Sequence, residues 1–132
     1  MIAPPDGYVP WDNPSPVLDA LGGFLCRESD PRLIGFFVDE HKVNARGFLH
    51  AGVLATFADV AIGHALARST DPPSRLLTIN LSCDFTGVAE AGTWVEGTVE
   101  IGRVGRRLAF GTIAFTADGR AIGSGRGLFL PA

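Results

Sequence analysis

One stretch, residues 50–68, restricts the fold of this chain more than any other. It predicts a helix in which apolar side chains occupy nearly every face, with six alanines and two glycines among them. A helix that is apolar all round is buried all round in the folded protein. The remaining residues must therefore enclose it, and the simplest enclosure is a sheet that curls around one helix.

Most of the other regular segments are predicted strands, in which β-branched and aromatic residues alternate with small or polar ones. They cover residues 76–85, 93–104, 107–117 and 120–130, with a shorter apolar run at 33–38. Asp118-Gly119 is a strong signal for a two-residue hairpin, and residues 102–106 are a weaker turn signal. The predicted fold class is therefore α+β, with an antiparallel sheet around one long central helix.

The chain, residues 1–132, is predicted to form a single domain with an N-terminal extension over residues 1–31. Residues 1–14 hold four of the nine prolines and are expected to run over the surface. Ser15 is then an N-cap before a proline, and the apolar spacing that follows predicts a short helix that stops at a Gly-Gly pair. The start of the chain lacks the apolar segment of a secretory signal.

Composition argues against several classes of function. The net charge of −3 provides no field that would attract nucleic acid, and the apolar stretch at residues 51–67 is too short for a membrane span. Two cysteines without metal-ligand spacing indicate a reducing, cytoplasmic setting. The three histidines form no metal motif with Asp59, and no glycine-rich phosphate loop follows a strand. Neither a metal nor a cofactor is predicted.

The start of the central helix is a candidate catalytic element. His50, Ala51 and Gly52 lie there, where backbone N–H groups have no acceptor within the helix. With the helix dipole behind them, such donors stabilise a carbonyl oxygen that becomes an oxyanion. The alternative is an ordinary helix start with His50 as its cap, and the local pattern leaves both interpretations open.

Asp59 is the second unusual residue, because its neighbours in the predicted helix are apolar. An ionised carboxylate in such surroundings is paired, hydrogen-bonded or reserved for chemistry. Nine residues separate it from His50, which is about 13 Å along the helix axis. Asp59 would therefore serve an oxyanion site on a second, antiparallel subunit, unless it makes a structural hydrogen bond. His64 is expected on a different face, as a core or interface histidine.

Two further features are weaker candidates. Cys83 could act as a nucleophile with a histidine base, but it lies in a predicted strand, where an inert buried thiol is the commoner case. The segment 103–132 carries five arginines and one aspartate, and Arg103, Arg106 and Arg107 form what we call the basic turn. Guanidinium groups there suit phosphate esters, although a solvated hairpin tip explains the same pattern.

Taken together, the sequence resembles the hotdog-fold acyl-CoA thioesterases, in particular the phenylacetate-degradation type of the 4-hydroxybenzoyl-CoA thioesterase-like superfamily. The likeness covers residues 33–130. Its centre is an Asn, then a Gly, a His-Gly-Gly and an acidic residue, which here are Asn44, Gly47, His50-Ala51-Gly52 and Asp59. Ala51 departs from the pattern, since the family usually has glycine there, but alanine keeps the backbone N–H.

The resemblance implies an enzyme that hydrolyses an acyl-CoA thioester to a free acid and coenzyme A. Asp59 of one subunit would act as nucleophile or as general base for water. The N–H of Ala51 in the other subunit, with that of Gly52, would polarise the thioester carbonyl. The covalent and the water-mediated routes both stay open.

The same resemblance implies roles for the residues around these groups. Asn44 and His50 would hold the carbonyl or the water, Thr78 would orient the water or the carboxylate, and the basic turn would bind the phosphates of coenzyme A. A homodimer would be the functional unit, pairing again into a homotetramer. A non-catalytic acyl-CoA-binding hotdog domain is the alternative, and a hydratase on the same fold is a third interpretation, without the Asp-His dyad it would need.

Overall fold

The computed structural model describes residues 3–132. In chain order its elements are β1 (Tyr8–Pro10), α1 (Pro16–Leu21), β2 (Phe24–Arg27), β3 (Asp30–Phe37), α2 (Ala51–Arg68), β4 (Leu76–Phe85), β5 (Trp94–Val104), β6 (Ala109–Ala117) and β7 (Arg120–Pro131). Within these residues the strands form a seven-stranded antiparallel sheet in the order β1-β2-β3-β5-β6-β7-β4. Because α2 contacts every strand from β3 to β7, the sheet encloses it. The predicted α+β hotdog arrangement is confirmed.

The predicted central helix and the four later strands are confirmed, with ends that differ by at most two residues. Asp118 and Gly119 have φ angles of 50° and 75°, the positive pair that a type I′ hairpin turn requires. The turn between β5 and β6 lies later than predicted. β5 continues to Val104, and the Gly105 N–H donates to the carbonyl oxygen of Leu108 (2.8 Å).

The N-terminal extension contributes more to the sheet than predicted. β1 pairs with β2, and β2 pairs with β3. The predicted surface path of residues 1–14 is therefore wrong for Tyr8–Pro10, while the first two residues of the chain lie outside the described part. Strands of three and four residues are too short to show the alternation that identifies a strand. Pro10 is tolerated because β1 is an edge strand, where a missing N–H leaves no partner unsatisfied.

The predicted short helix is confirmed as α1. Ser15 caps it by accepting the Leu18 N–H on its hydroxyl oxygen (3.2 Å), and Gly22 follows its last residue with a φ of 68°. Neither helix within residues 3–132 is long and apolar enough to cross a membrane.

Glycines of β7 allow α2 to lie very close to the sheet. A Cβ at Gly125 would lie 3.3 Å from the Cβ of Ala58, and a Cβ at Gly123 would lie 3.1 Å from Cδ2 of Leu54. Leu54 and Ala58 are one helical turn apart, so successive turns of α2 meet alternate residues of the strand. The glycine positions therefore set how closely the helix can approach the sheet.

One face of α2 is only partly covered. The buried face packs on the sheet, whereas five residues on the other side are half-buried: Thr56, Asp59, Val60, Gly63 and Ala67. The prediction of burial on every face is therefore wrong for the single chain. α1 and the sheet do not extend over the whole of this stripe, which carries Asp59.

A side chain at position 125 should separate α2 from the sheet. We expect Gly125→Val to lower the free energy of unfolding by about 1–3 kcal/mol, because Ala58, Ile113 and Cys83 surround the position and leave no room for two methyl groups. Urea denaturation measures this. Ser124→Val at the exposed neighbouring position is the control and should change stability by less than about 0.5 kcal/mol. Equal losses of stability in the two variants would contradict the close approach of α2 to β7.

Candidate active site

The start of α2 is closed by its own cap. Nδ1 of His50 accepts the N–H of Gly52 (2.9 Å), and the N–H of His50 donates to the carbonyl oxygen of Lys42 (2.8 Å). A Cβ at position 52 would lie 3.0 Å from Cε1 of His50, so glycine is what lets the ring fold over the helix start. Of the two N–H groups predicted as oxyanion donors, the cap uses that of Gly52. Ala51 supplies the other, with its side chain exposed.

Asn44 organises the loop that leads to this helix start. Its Oδ1 accepts the N–H groups of Arg46 (2.9 Å) and Phe48 (3.2 Å), and the bridge between Val43 and Leu49 folds the loop back on itself. The amide oxygen is therefore engaged within the loop, which leaves the amide NH₂ as the group able to donate to a ligand.

Asp59 lies halfway along α2 and is held from β4. Thr78 Oγ1 donates a hydrogen bond to Asp59 Oδ1 (2.6 Å). The register of β4 on β7 shifts between Thr78 and Asn80, so Ile79 is the extra residue of a β-bulge. In a regular strand Thr78 and Leu81 would face opposite sides, but the bulge turns both towards the helix. Two residues that are distant in sequence thereby meet as a pair.

The candidate residues form two groups. His50 and Gly52 line one cavity, and Asp59 and Thr78 line another. Ala51 and Asp59 are eight residues apart on one straight element, which is about 12 Å along the axis. Within one chain the carboxylate and the helix start therefore do not face a common substrate atom.

The cavity beside Asp59 measures about 530 Å³ and includes residues that sequence reasoning missed. Asn13, Pro14, Ser15 and Leu18 of the N-terminal extension line it together with residues of α2. Next to it, Asp12 pairs with Arg68 (3.1 Å), and the ring of Trp11 packs on His64 with 4.2 Å between ring centroids. His64 is buried, as expected for a core histidine, and it borders the same cavity as Asp59. These contacts join distant parts of the chain, so no local pattern could predict them.

The basic turn borders a further cavity of about 740 Å³, lined by Arg103, Arg106 and Arg107. Ser74 lines both this cavity and the one beside Asp59. The arginines and the carboxylate therefore lie along one connected surface of the chain.

Cys83 lies in β4 near Asp59. Burial raises the pKa of the Cys83 thiol above its ordinary value of 9.0, and the carboxylates of Asp84 and Asp59 raise it further. The thiol is thus protonated at neutral pH, which disfavours the nucleophile interpretation. Within the described residues, no three His, Cys, Asp or Glu side chains are arranged to hold a metal ion.

Comparison with protein families decides the affiliation of the chain. The model of the thioesterase superfamily matches residues 46–123, more than half of the sequence. The chain belongs to the thioesterase superfamily. The resemblance recognised in the sequence is confirmed at this level, and the matched region contains Ala51, Asp59, Thr78 and the basic turn.

One relative and two solved structures are similar to this chain. "Putative esterase PA0474" of Pseudomonas aeruginosa is 37% identical over 131 residues, which are 98% of each chain. The PaaI protein from the phenylacetic acid degradation operon of E. coli has a TM-score of 0.69 at 18% identity, over 83% of this chain and 73% of that chain. A hypothetical thioesterase protein from Streptococcus pneumoniae, solved with coenzyme A, has a TM-score of 0.70 at 16% identity, over 84% and 82%. The two structural likenesses show a shared fold.

In this thioesterase-superfamily chain, His64 makes stability depend on pH. Burial, and to a smaller extent the charge of Arg68, lower the pKa of His64 from 6.5 to about 4. Between these values the unfolded chain binds a proton that the folded protein does not, so the stabilisation is present above about pH 6.5 and is lost towards pH 4.

We expect His64→Gln to flatten the fall of unfolding free energy between pH 6.5 and pH 4, as measured by urea denaturation at a series of pH values. His41→Gln, at an exposed histidine, is the control and should keep the wild-type slope. A slope that is the same in both variants would show that His64 does not titrate as described.

Proposed function

We propose that the protein is an acyl-CoA thioesterase in which Asp59 acts on the thioester. The observation that carries the proposal is the pair of Asp59 and Thr78, a carboxylate oriented by a 2.6 Å hydrogen bond at the wall of a cavity. The hydroxyl occupies Oδ1 and leaves Oδ2 free to face a ligand. Membership of the thioesterase superfamily and the esterase name of a relative at 37% identity support hydrolysis as the reaction.

The reaction adds water across the C–S bond. With Asp59 as general base, Oδ2 takes a proton from water, whose oxygen attacks the carbonyl carbon, and the C–S bond breaks to give the acid and the coenzyme A thiol. With Asp59 as nucleophile, Oδ2 forms an anhydride with the acyl group, the thiolate leaves and takes a proton, and water then hydrolyses the anhydride. The contacts around Asp59 suit both routes.

The carbonyl oxygen needs donors that become effective as its negative charge develops. Ala51 N–H at the positive end of the α2 dipole is such a donor, and the amide NH₂ of Asn44 and Nε2–H of His50 are others nearby on the same loop and cap. Nδ1 of His50 accepts the Gly52 N–H, so the neutral ring carries its proton on Nε2. Since these groups lie about 12 Å from Asp59 of the same chain, we propose that the second subunit provides them.

Two features of the chain support a dimer. β4 is an edge strand of the sheet, and Leu77 (58%) and Ile79 (46%) are strongly exposed on it. Such an edge pairs readily with the same strand of a second copy. A two-fold pairing there would continue the sheet and bring the partly covered faces of two α2 helices together in antiparallel orientation. Association of two such dimers into a tetramer and a cytoplasmic location both stay predictions.

The basic turn is proposed to bind the nucleotide phosphates of coenzyme A. Its three guanidinium groups are exposed, in a protein whose net charge is −3, and such groups suit phosphate esters. Ser74 lines both their cavity and the cavity beside Asp59. The coenzyme A in the structure of the Streptococcus pneumoniae protein supports this class of ligand.

Asp59→Asn tests the central role. Asparagine keeps the shape and an acceptor for Thr78, so we expect folding to be preserved and the melting temperature to be unchanged or raised. Loss of the charge should lower kcat by about 10²–10⁴-fold in a thiol-release assay, and by more if Asp59 is the nucleophile. Cys83→Ser is the control and should keep near-normal turnover. Near-normal turnover in folded Asp59→Asn would overturn the catalytic role of Asp59, whereas a folded wild-type protein without any turnover would favour a non-catalytic acyl-CoA-binding domain.

Ala51→Pro removes one N–H and little else. Proline is favoured at the first position of a helix, and His50, with φ −69° and ψ 129°, already has the backbone that precedes proline. We expect kcat to fall by about 10²–10³-fold without loss of stability. Mixed with the Asp59→Asn protein after subunit exchange, it should recover about one quarter of wild-type activity, since half of the dimers then hold one intact site. No recovery after verified exchange would place both groups in one subunit.

Arg106→Ala combined with Arg107→Ala tests the nucleotide contact. We expect KM to rise more for acyl-CoA than for the matching pantetheine thioester, because only the former carries the phosphates. Arg120→Ala, at an exposed arginine beyond the opposite end of β6, is the control. Equal KM changes for both substrates would show that the basic turn does not read the nucleotide.

A further inference from the structure

The cavity that His50 and Gly52 line at the start of α2 measures about 460 Å³, and the proposed mechanism places no part of the substrate inside it. α1 forms one wall, α2 the floor, and the loop before α2 the other wall. We call it the α1 groove. Its lining residues are Val17, Ala20, Leu21, His41, Val43, His50, Gly52, Val53 and Thr56.

A buried lysine holds the walls of the α1 groove together. Lys42 is fully buried (0% exposed), and its Nζ donates to the carbonyl oxygen of Leu21 at the end of α1 (3.0 Å) and to Asp39 Oδ2 (2.6 Å). Its backbone carbonyl accepts the His50 N–H. One residue therefore ties the end of α1, the loop and the helix start together, so the groove is formed before any ligand enters.

The α1 groove adjoins the group proposed to hold the thioester carbonyl. His50 and Gly52 both line it and flank Ala51. A carbonyl carbon held at the Ala51 N–H has two further substituents, the sulfur and the acyl chain. The sulfur is bonded to coenzyme A, whose phosphates are proposed to bind the basic turn. That basic turn belongs to the other subunit, the one that provides Asp59. The acyl chain is left to extend into the groove.

The residues that line the α1 groove indicate which kind of acyl group it binds. Valine, leucine and alanine side chains dominate it, and Val17 is 60% exposed. Its polar side chains are those of His41, His50 and Thr56, and of the described residues that line the groove none is a lysine or an arginine that could neutralise a second carboxylate. Burial of a hydrocarbon chain against this surface is favourable, whereas burial of an unpaired charge is not.

We propose that the α1 groove binds a hydrocarbon acyl group and that Val17 and Ala20 of α1 limit its size. The inference rests on the proposed thioesterase function and deepens it by naming the substrate class. α1 lies outside residues 46–123, the region matched by the superfamily. Selectivity would therefore reside in a segment outside the region that the superfamily model matches, while the reacting groups lie in or next to that region.

The test compares kcat/KM for acetyl-, hexanoyl-, decanoyl- and succinyl-CoA. Wild-type protein should prefer hexanoyl- or decanoyl-CoA over succinyl-CoA. Ala20→Trp fills the groove and should lower the ratio of decanoyl to acetyl turnover at least about tenfold while acetyl-CoA hydrolysis persists. Asp19→Trp, at an exposed position of the same helix outside the groove, is the control and should leave the ratio unchanged. Val17→Asp, at a position that is 60% exposed, should lower the same ratio and replaces Ala20→Trp as the test if that variant fails to fold.

The outcomes separate the two proposals. A wild-type protein that hydrolyses no member of the panel overturns the thioesterase function and this inference with it. An active wild type whose decanoyl to acetyl ratio is unchanged in folded Ala20→Trp and in Val17→Asp overturns the inference alone. Preference for succinyl-CoA, or an equal change in Asp19→Trp, overturns it as well.

Discussion

The close contact between α2 and β7 is the constraint on which the rest of the structure depends. Because glycines stand where side chains would otherwise separate the two elements, successive turns of the helix rest almost on the strand backbone. Such contact leaves the helix no freedom to slide or tilt, since packed interiors tolerate little displacement. α2 is thus a rigid support that holds a carboxylate midway along its length and backbone donors at its start, at a distance set by helix geometry alone.

For the proposed reaction, that fixed distance leaves the site of the single chain incomplete. Around Asp59 the chain provides a cavity, an orienting hydroxyl and a neighbouring basic turn. Around Ala51 it provides a capped helix start and an apolar groove. Antiparallel pairing of two copies would place Asp59 of each chain next to Ala51 of the other chain. The dimer would then hold two complete sites. The half-buried stripe on α2 and the unpaired edge of β4 are then two parts of one surface rather than separate irregularities.

Local patterns were sufficient to predict the helix, the four long strands and the hairpin at Asp118. Each of these is encoded by spacing within ten to twenty residues, through helical or alternating apolar periodicity. The separation of Asp59 from the helix start was predictable for the same reason, because it follows from the rise per residue. The pairing of Thr78 with Asp59 was proposed only through the family resemblance.

The remaining features depend on contacts that no local pattern records. β1 and β2 exist because they pair with β3, and their own three or four residues carry little signal. The packing of Trp11 on His64 joins positions more than fifty residues apart. The bulge at Ile79, which turns Thr78 towards the helix, is a matter of register between β4 and β7. Sequence periodicity predicts one element at a time and does not predict how two elements align.

The helix start shows how such a contact changes a chemical expectation. The family resemblance implies the N–H of Ala51 as a donor, joined by that of Gly52, but the His50 ring folds over the helix and takes the N–H of Gly52. Glycine at position 52 is therefore needed for the approach of a side chain rather than of a substrate. In the proposed mechanism the donors are therefore Ala51 and the histidine, whose engaged Nδ1 leaves a proton on Nε2 of the neutral ring. The methyl group of Ala51 is exposed at the helix end and lies clear of the cap. Alanine can thus replace the usual glycine there, because the requirement at this position is for a backbone N–H.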